Sequence, residues 1–205
     1  PTRPEHLRPP QPRPRIPTTP GDLARLLDGL AASIREKGLA QTQITDIVGH
    51  ARASRRTFYK HFSDKDSCLV ELVHLSAKRI IEAVAAAIEL DAARAVQIDQ
   101  AIDAYLSLLS GEPALALALS SPSVGERVLR AQQEGLEQFA EFIVAVIATT
   151  SPTRIAPAPI SVECAYMLAS GLRAAVLRAI ERGDELDRVG QDAKAVFTAV
   201  LDQHA

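Results

Sequence analysis

Between Thr42 and Lys65 the chain runs TQITDIVGHARASRRTFYKHFSDK, and this stretch gathers the side chains best suited to meeting a polyanion. Arg55 and Arg56 can each present a guanidinium fork to the O6 and N7 of guanine, a contact worth ~1–3 kcal/mol of discrimination between bases. Thr57 stands beside them. Tyr59, Lys60, His61 and Lys65 add a hydroxyl and cations of the kind that hold phosphate oxygens. Ser54, just ahead, has the side chain that caps a helix N-terminus. An arginine pair on its own is usually a solvated helix face. Here the polar group is framed by Ile44, Ile47, Val48, Phe58 and Phe62, the apolar anchors of a small two-helix unit, and that combination points to DNA. The major groove is wide enough to admit one helix of such a unit.

Other chemistries find no support. The five histidines, His6, His50, His61, His74 and His204, show no metal-ligand spacing with one another or with the cysteines. No glycine-rich phosphate loop, nucleophile elbow or paired-carboxylate signature occurs. Neither an enzyme nor a cofactor or metal is expected.

Helices must position these residues. Ala and Leu dominate and aromatics are only 4% of the chain, a balance that favours helix over sheet. From Asp22, Leu23, Leu26, Leu27, Leu30 and Ile34 recur at helical spacing, and Gly38 stands where a left-handed cap belongs. Two short helices follow, 43–50 and 54–60, joined at Ala51–Ala53. A long helix runs from Asp64 to Leu90, opened by a capping box of Ser63 and Asp66; its free N–H groups and positive dipole end also suit phosphate. Five more helices are expected at 94–110, 113–120 (opened by Pro113), 124–149, 160–182 (ended by Gly183) and 187–203. The fold class is therefore all-α, with about nine helices.

Charge and composition divide the chain. Residues 1–65 carry a net charge of +6 and residues 66–205 carry −8, a basic head on an acidic body. Residues 1–20 hold eight prolines with Arg3, Arg8, Arg13 and Arg15, and form an extended arm. The arm is either a free tail or a basic extension that reaches the minor groove or flanking phosphates. The expected organisation is this arm, a helix-turn-helix domain at 21–65, and a helical domain at 66–205. The proline-rich start lacks the apolar stretch of a secretion signal, and no run is long enough to span a membrane. A cytoplasmic protein with Cys68 and Cys164 reduced is expected.

Residues 22–65 resemble the N-terminal domain of the TetR family of bacterial regulators. Gly38, Leu39, Thr42, Ile44, Ile47, Ser54, Thr57, Phe58, Tyr59, Phe62 and Lys65 meet the family pattern without a gap, over about a fifth of the chain. The resemblance implies an all-α homodimer that binds a palindromic operator on double-stranded DNA, usually as a repressor, and lets go when a small molecule enters the C-terminal domain. It also implies DNA contacts at Thr42, Ser54, Arg55, Arg56, Thr57, Tyr59, His61 and Lys65, and a dimer interface at 160–182 and 187–203. Two positions depart from the pattern. Arg52 stands at the usual turn glycine, so the turn either avoids a positive φ or is strained. Arg56 replaces a small residue or lysine, so no operator sequence transfers from relatives.

The 160–182 segment itself favours close helix packing, with Ala165, Ala169, Gly171, Ala174 and Ala175 among larger apolar residues. For an effector site, Tyr105, Leu109, Leu117, Phe139, Phe142, Tyr166 and Met167 sit on helices that would surround a cavity in such a fold, and their apolar character suits a lipophilic ligand, although any one such residue is more often ordinary core. Arg173 and Glu137 are charges in apolar surroundings that either orient a ligand or face water. The competing reading is a helical adaptor of the same fold that acts through protein partners without operator binding.

Overall fold

The computed structural model describes residues 20–111, 116, 125–150 and 160–203. Eight helices are found among them: α1 (Pro20–Lys37), α2 (Ile44–His50), α3 (Arg55–His61), α4 (Lys65–Ala87), α5 (Arg94–Gly111), α6 (Glu126–Thr150), α7 (Val162–Arg182) and α8 (Leu186–Asp202). No strand occurs among the described residues. The proline-rich arm and most of the expected 113–120 helix, including Leu117, lie outside them.

The apolar stripe of α1 buries Leu26, Leu27, Leu30 and Ile34 against Ile47, Val48, Phe58 and Phe62. This clasp depends on Gly29: a Cβ there would stand 2.5 Å from the carbonyl oxygen of Ile47 and 3.0 Å from the amide nitrogen of Ala51. Only a bare Cα lets α1 and α2 come so close. The turn after α1 is set by Gly38, whose φ of 77° is left-handed and whose N–H donates to the Ile34 carbonyl at 2.8 Å.

Helix α4 is the spine. It packs on α1 with its first turns and on α5 and α6 along its length, while α7 lies on α6 and α8 on α5 and α7. Its buried face runs Cys68, Leu69, Leu72, Val73, Ala77, Ile80 and Val84, so one continuous core joins the two-helix unit to the body. Burial pushes the Cys68 thiol up to about 12, which keeps it protonated and inert. Both cysteines are free.

Two sequence expectations for α4 need correction. The capping box is Asp64 with Ser67, one residue later than Ser63 with Asp66: the Ser67 N–H donates to Asp64 Oδ1 at 2.7 Å, and the Asp64 N–H donates to Ser67 Oγ at 3.2 Å. A carboxylate at the cap also satisfies the helix dipole and meets Arg127, which a serine hydroxyl would not do as strongly. The helix also ends at Ala87, ahead of Leu90. Ile88 is extended, and the turn beyond it is held by α5: Gln97 Nε2 donates to the carbonyls of Glu89 and Leu90 at 3.1 and 3.0 Å, and the Glu89 N–H donates to Gln100 Oε1 at 2.9 Å. Those bonds satisfy backbone groups that would otherwise propagate the helix.

Candidate nucleic-acid interface and effector cavity

Helix α3 is anchored from below. Phe58 is fully buried, edge-on to Tyr59 with ring centres 5.5 Å apart, and 5.4 Å from the Phe62 ring. Ser54 caps the helix by accepting the Thr57 N–H at 3.0 Å, and the Ser54 and Thr57 hydroxyls lie 2.9 Å apart. With one face locked, the other is presented: Ser54, Arg55, Arg56, Tyr59 and Lys60 are exposed, Thr57 partly so, and Tyr59 keeps 51% of its surface open despite its ring contact. Exposed Arg52 adds a further cation at the turn.

That turn adopts the conformation its sequence put in question. Arg52 has a φ of 49°, the left-handed region that disfavours a side chain. The Ala53 N–H donates to the Val48 carbonyl at 2.9 Å and the Arg52 N–H to the Gly49 carbonyl at 3.2 Å. This two-bond closure is the one in which glycine is usual. Arg52 is therefore held in place by the α2–α3 geometry at a local cost. On the other side of α2, Lys37 Nζ donates to Asp46 at 2.9 Å and His50 meets Glu36 at 2.9 Å, fastening it to the end of α1. The hydrogen bond from Lys37, then the one from the Gln43 N–H, lowers the Asp46 carboxyl below its ordinary value.

Three of the expected contact residues are placed differently. Thr42 is buried, and its hydroxyl donates to the Gly38 carbonyl at 2.8 Å, closing the loop that follows α1. Lys65 Nζ donates to the carbonyls of Leu39 and Thr42, both at 3.0 Å. The loop after a helix end leaves carbonyls without partners, and an ammonium satisfies two at once. His61 is half-buried against Phe62, and its Nε2 is buried without a hydrogen bond. These residues mount the helix; they do not share the open face of Arg55, Arg56, Tyr59 and Lys60.

In the body, an apolar cavity of about 70 Å3 lies between α4, α5, α6, α7 and α8, lined among others by Ile98, Ile102, Tyr105, Phe139, Phe142 and Leu172. A smaller cavity of about 40 Å3 shares Tyr105 and Phe139 with it and adds Gln132 and Arg173. The rings of Tyr105, Phe139 and Phe142 are stacked in series, 6.0 and 6.1 Å apart, and the first two line both cavities. Burial pushes the Tyr105 phenol up to about 12, with the charge of Arg173 acting against it.

Of the residues singled out in the sequence, Tyr105, Phe139, Phe142 and Arg173 line these cavities. Leu109 is buried core and Tyr166 half-buried, and neither lines them. Glu137 is exposed. Met167 requires correction: it is 66% exposed, on an open groove between α7 and α8 with Gly171, Ala175, Val189 and Val196. It falls on the stripe of α7 opposite Ala165, Ala169, Leu172 and Val176, which take the core side. Sequence reasoning misses Ile98, Ile102 and Leu172 because an apolar helix face looks the same in sequence whether it meets a neighbour or a void. No grouping of His, Cys, Asp and Glu able to hold a metal ion occurs among the described residues. None of the helices among them is long and apolar enough to cross a membrane.

Residues 26–72 match the family model for bacterial regulatory proteins of the tetR family. No curated protein matches the sequence. Among solved structures, a putative TetR-family transcriptional regulator from Syntrophomonas wolfei superposes with a TM-score of 0.68 at 15% identity, covering 87% of this chain and 94% of that one. A TetR-like regulator from Rhodococcus sp. RHA1 gives 0.64 at 15% identity, covering 92% and 99%. FadR from Bacillus subtilis, in complex with stearoyl-CoA, gives 0.67 at 19% identity, covering 84% and 96%. At these identities the likeness is one of fold.

Proposed function

We propose that this chain, whose residues 26–72 match the model for bacterial regulatory proteins of the tetR family, is a sequence-specific DNA-binding transcriptional regulator, a homodimer that represses from a palindromic operator and is released by a small, mainly apolar effector. The observation that carries this reading is α3: a capped helix pinned by a fully buried Phe58, with Arg55, Arg56, Tyr59 and Lys60 open on its other face. Arg55, Arg56 and Thr57 are assigned to base edges; Ser54, Tyr59 and Lys60 to phosphates. Residues 21–65 form the reading domain and 66–205 the effector and dimer domain.

A two-fold dimer supplies what one short helix lacks, since a single recognition helix spans too few base pairs. The groove between α7 and α8 supports that assembly. Exposed Met167 and Val196 border small Gly171 and Ala175, an exposed apolar surface of the kind that an isologous interface covers. The cavity beneath Phe139 and Phe142 supports a lipophilic effector. A similar fold, Bacillus subtilis FadR, is described in complex with stearoyl-CoA, which agrees with a lipophilic effector for this chain.

A genome-fragment binding selection at fixed salt tests the reading, with the wild type beside an Arg55→Ala, Thr57→Ala, Tyr59→Ala triple variant. The wild type should enrich a palindromic site that the variant does not. Enrichment of nothing by either protein, in the absence of effector, would overturn operator binding and favour the adaptor that works through protein partners.

A further inference from the structure

The two cavities of the body differ in character. The larger is mainly apolar, with Arg94 and Gln97 at its α5 end, where Arg94 Nη1 donates to the Leu201 carbonyl at 3.2 Å. The smaller brings Gln132 and Arg173 to the same two aromatic rings from the other side. Together they follow the helices: Ala77 and Ile80 of α4 line the smaller cavity, Val84 and Ile88 the larger. Within α4 the lining runs from Ala77 to Val84, seven residues or roughly 10 Å at 1.5 Å rise, and Ile88 continues it just beyond the helix. On α6 the same order runs from Gln132 through Phe139 to Ile147. The result is a bent, mainly apolar path with a cation at each end: Arg94, which donates to the Leu201 carbonyl, and Arg173.

Arg173 has no local reason to be there. It is half-buried on α7, no carboxylate lines its cavity, and it forms no ion pair among the described residues. A guanidinium held near apolar walls without an anion is costly, and a carboxylate relieves that cost with charge-assisted hydrogen bonds. Arg173 and Tyr105 line the same cavity. One turn away on α7, the Ser170 hydroxyl is buried without a hydrogen bond.

We propose that the effector is an aliphatic carboxylate, its anionic head held by Arg173 beside Tyr105 and Gln132 and its chain lying between Ile98, Ile102, Phe142 and Leu172. The cavities hold about 70 and 40 Å3 as they stand, so an alkyl chain must open the two into one. Because Tyr105 and Phe139 stand between the two cavities, a ligand that occupies both displaces their stack. This inference rests on 66–205 being the effector domain, and it narrows the apolar effector to an anionic amphiphile.

Direct binding to the full chain tests it, by calorimetry with decanoate, methyl decanoate, decanol and decanoyl-CoA. Decanoate should bind the wild type, with the ester and alcohol weaker by roughly tenfold or more, the scale of a lost hydrogen bond to a charged group. Arg173→Gln should bind acid and alcohol alike, and Arg173→Lys should keep a preference for the acid. Circular dichroism melts of both variants confirm that they fold. Equal binding of acid and alcohol by the wild type, an unchanged preference in Arg173→Gln, binding of decanoyl-CoA alone, or no binding of any probe would each overturn it. Since ligand binding is read without DNA, a protein that binds decanoate but no operator would sink the regulator reading and leave this one standing.

Discussion

Replacing Asp64 tests whether the first turn of α4 is held by a charge. Three donors converge on its carboxylate: the Ser67 N–H at 2.7 Å, Arg127 Nη2 at 2.9 Å and Ser63 Oγ at 3.2 Å. The backbone bond from Ser67, then the Arg127 guanidinium, pulls the carboxyl from its ordinary 3.8 down to about 2. At 1.36 kcal/mol per pH unit that shift corresponds to about 2 kcal/mol before solvent screening. The side chain is 48% exposed and Arg127 58%, so solvent screens the charges and about 1 kcal/mol is the reasonable expectation. An asparagine at this position would still cap the helix, so Asp64→Asn isolates the charge, whereas Asp64→Ala also loses the cap, for about 1 kcal/mol more.

The sign of the pH dependence follows. The folded-state carboxyl lies below its unfolded value, so its stabilisation is complete above the unfolded value and fades as pH falls through about 2. Urea denaturation followed by circular dichroism should find Asp64→Asn about 1 kcal/mol less stable than wild type at pH 7 and the gap reduced to about half at pH 3. Arg127→Met should recover part of the effect, with a coupling between the two substitutions of ~0.2–1 kcal/mol. A gap that is absent at pH 7, or that is the same at both pH values, would refute the reasoning.

Gly29→Ala forces a Cβ to within 2.5 Å of the Ile47 carbonyl oxygen, and should lower stability by about 1–3 kcal/mol in chemical denaturation, against the usual gain from alanine in a helix. Arg52→Gly relieves the left-handed φ of 49° while adding unfolded-state freedom, for a net gain of about 0.5–1 kcal/mol in the same assay, and it flattens the salt dependence of DNA binding by about one unit of slope if Arg52 meets a phosphate. Met167→Glu with Val196→Glu places charge on the groove between α7 and α8; light scattering should then report a monomer where the wild type is a dimer, and an unchanged mass would remove that groove from the interface.

Helix periodicity carries most of the fold. Leu26, Leu27, Leu30 and Ile34 repeat so regularly that α1 has one possible core face, and Gly38 marks its end. Where two readings share a spacing, the sequence cannot choose. Ser63 with Asp66 and Asp64 with Ser67 both satisfy a capping box, and the contact with Arg127, far along the chain on α6, accompanies only the second. The end of α4 escapes periodicity for the same kind of reason: Gln97 and Gln100 reach back from α5 to hold Glu89 and Leu90. Cavity residues are the least legible, because Leu109, tightly buried, and Ile102, at a cavity wall, are both apolar residues on the same face of α5.

The motif around α3 mixes two roles that residue type alone does not separate. Lysine and threonine suit phosphate, yet Lys65 and Thr42 donate to the carbonyls of the loop after α1. A recognition helix reads bases only if its own position is fixed more finely than the differences it must detect, so part of any such motif must serve the mounting. Here the mounting and the body meet in one turn. Lys65 fastens the start of α4 to the α1–α2 loop, and Asp64, its neighbour, fastens the same turn to Arg127 on α6. Five residues further along α6, Gln132 lines the smaller cavity. The two-helix unit and the cavities therefore share α4, α6 and this capped turn, and substitutions at Asp64 or Arg127 act where the two parts of the molecule meet.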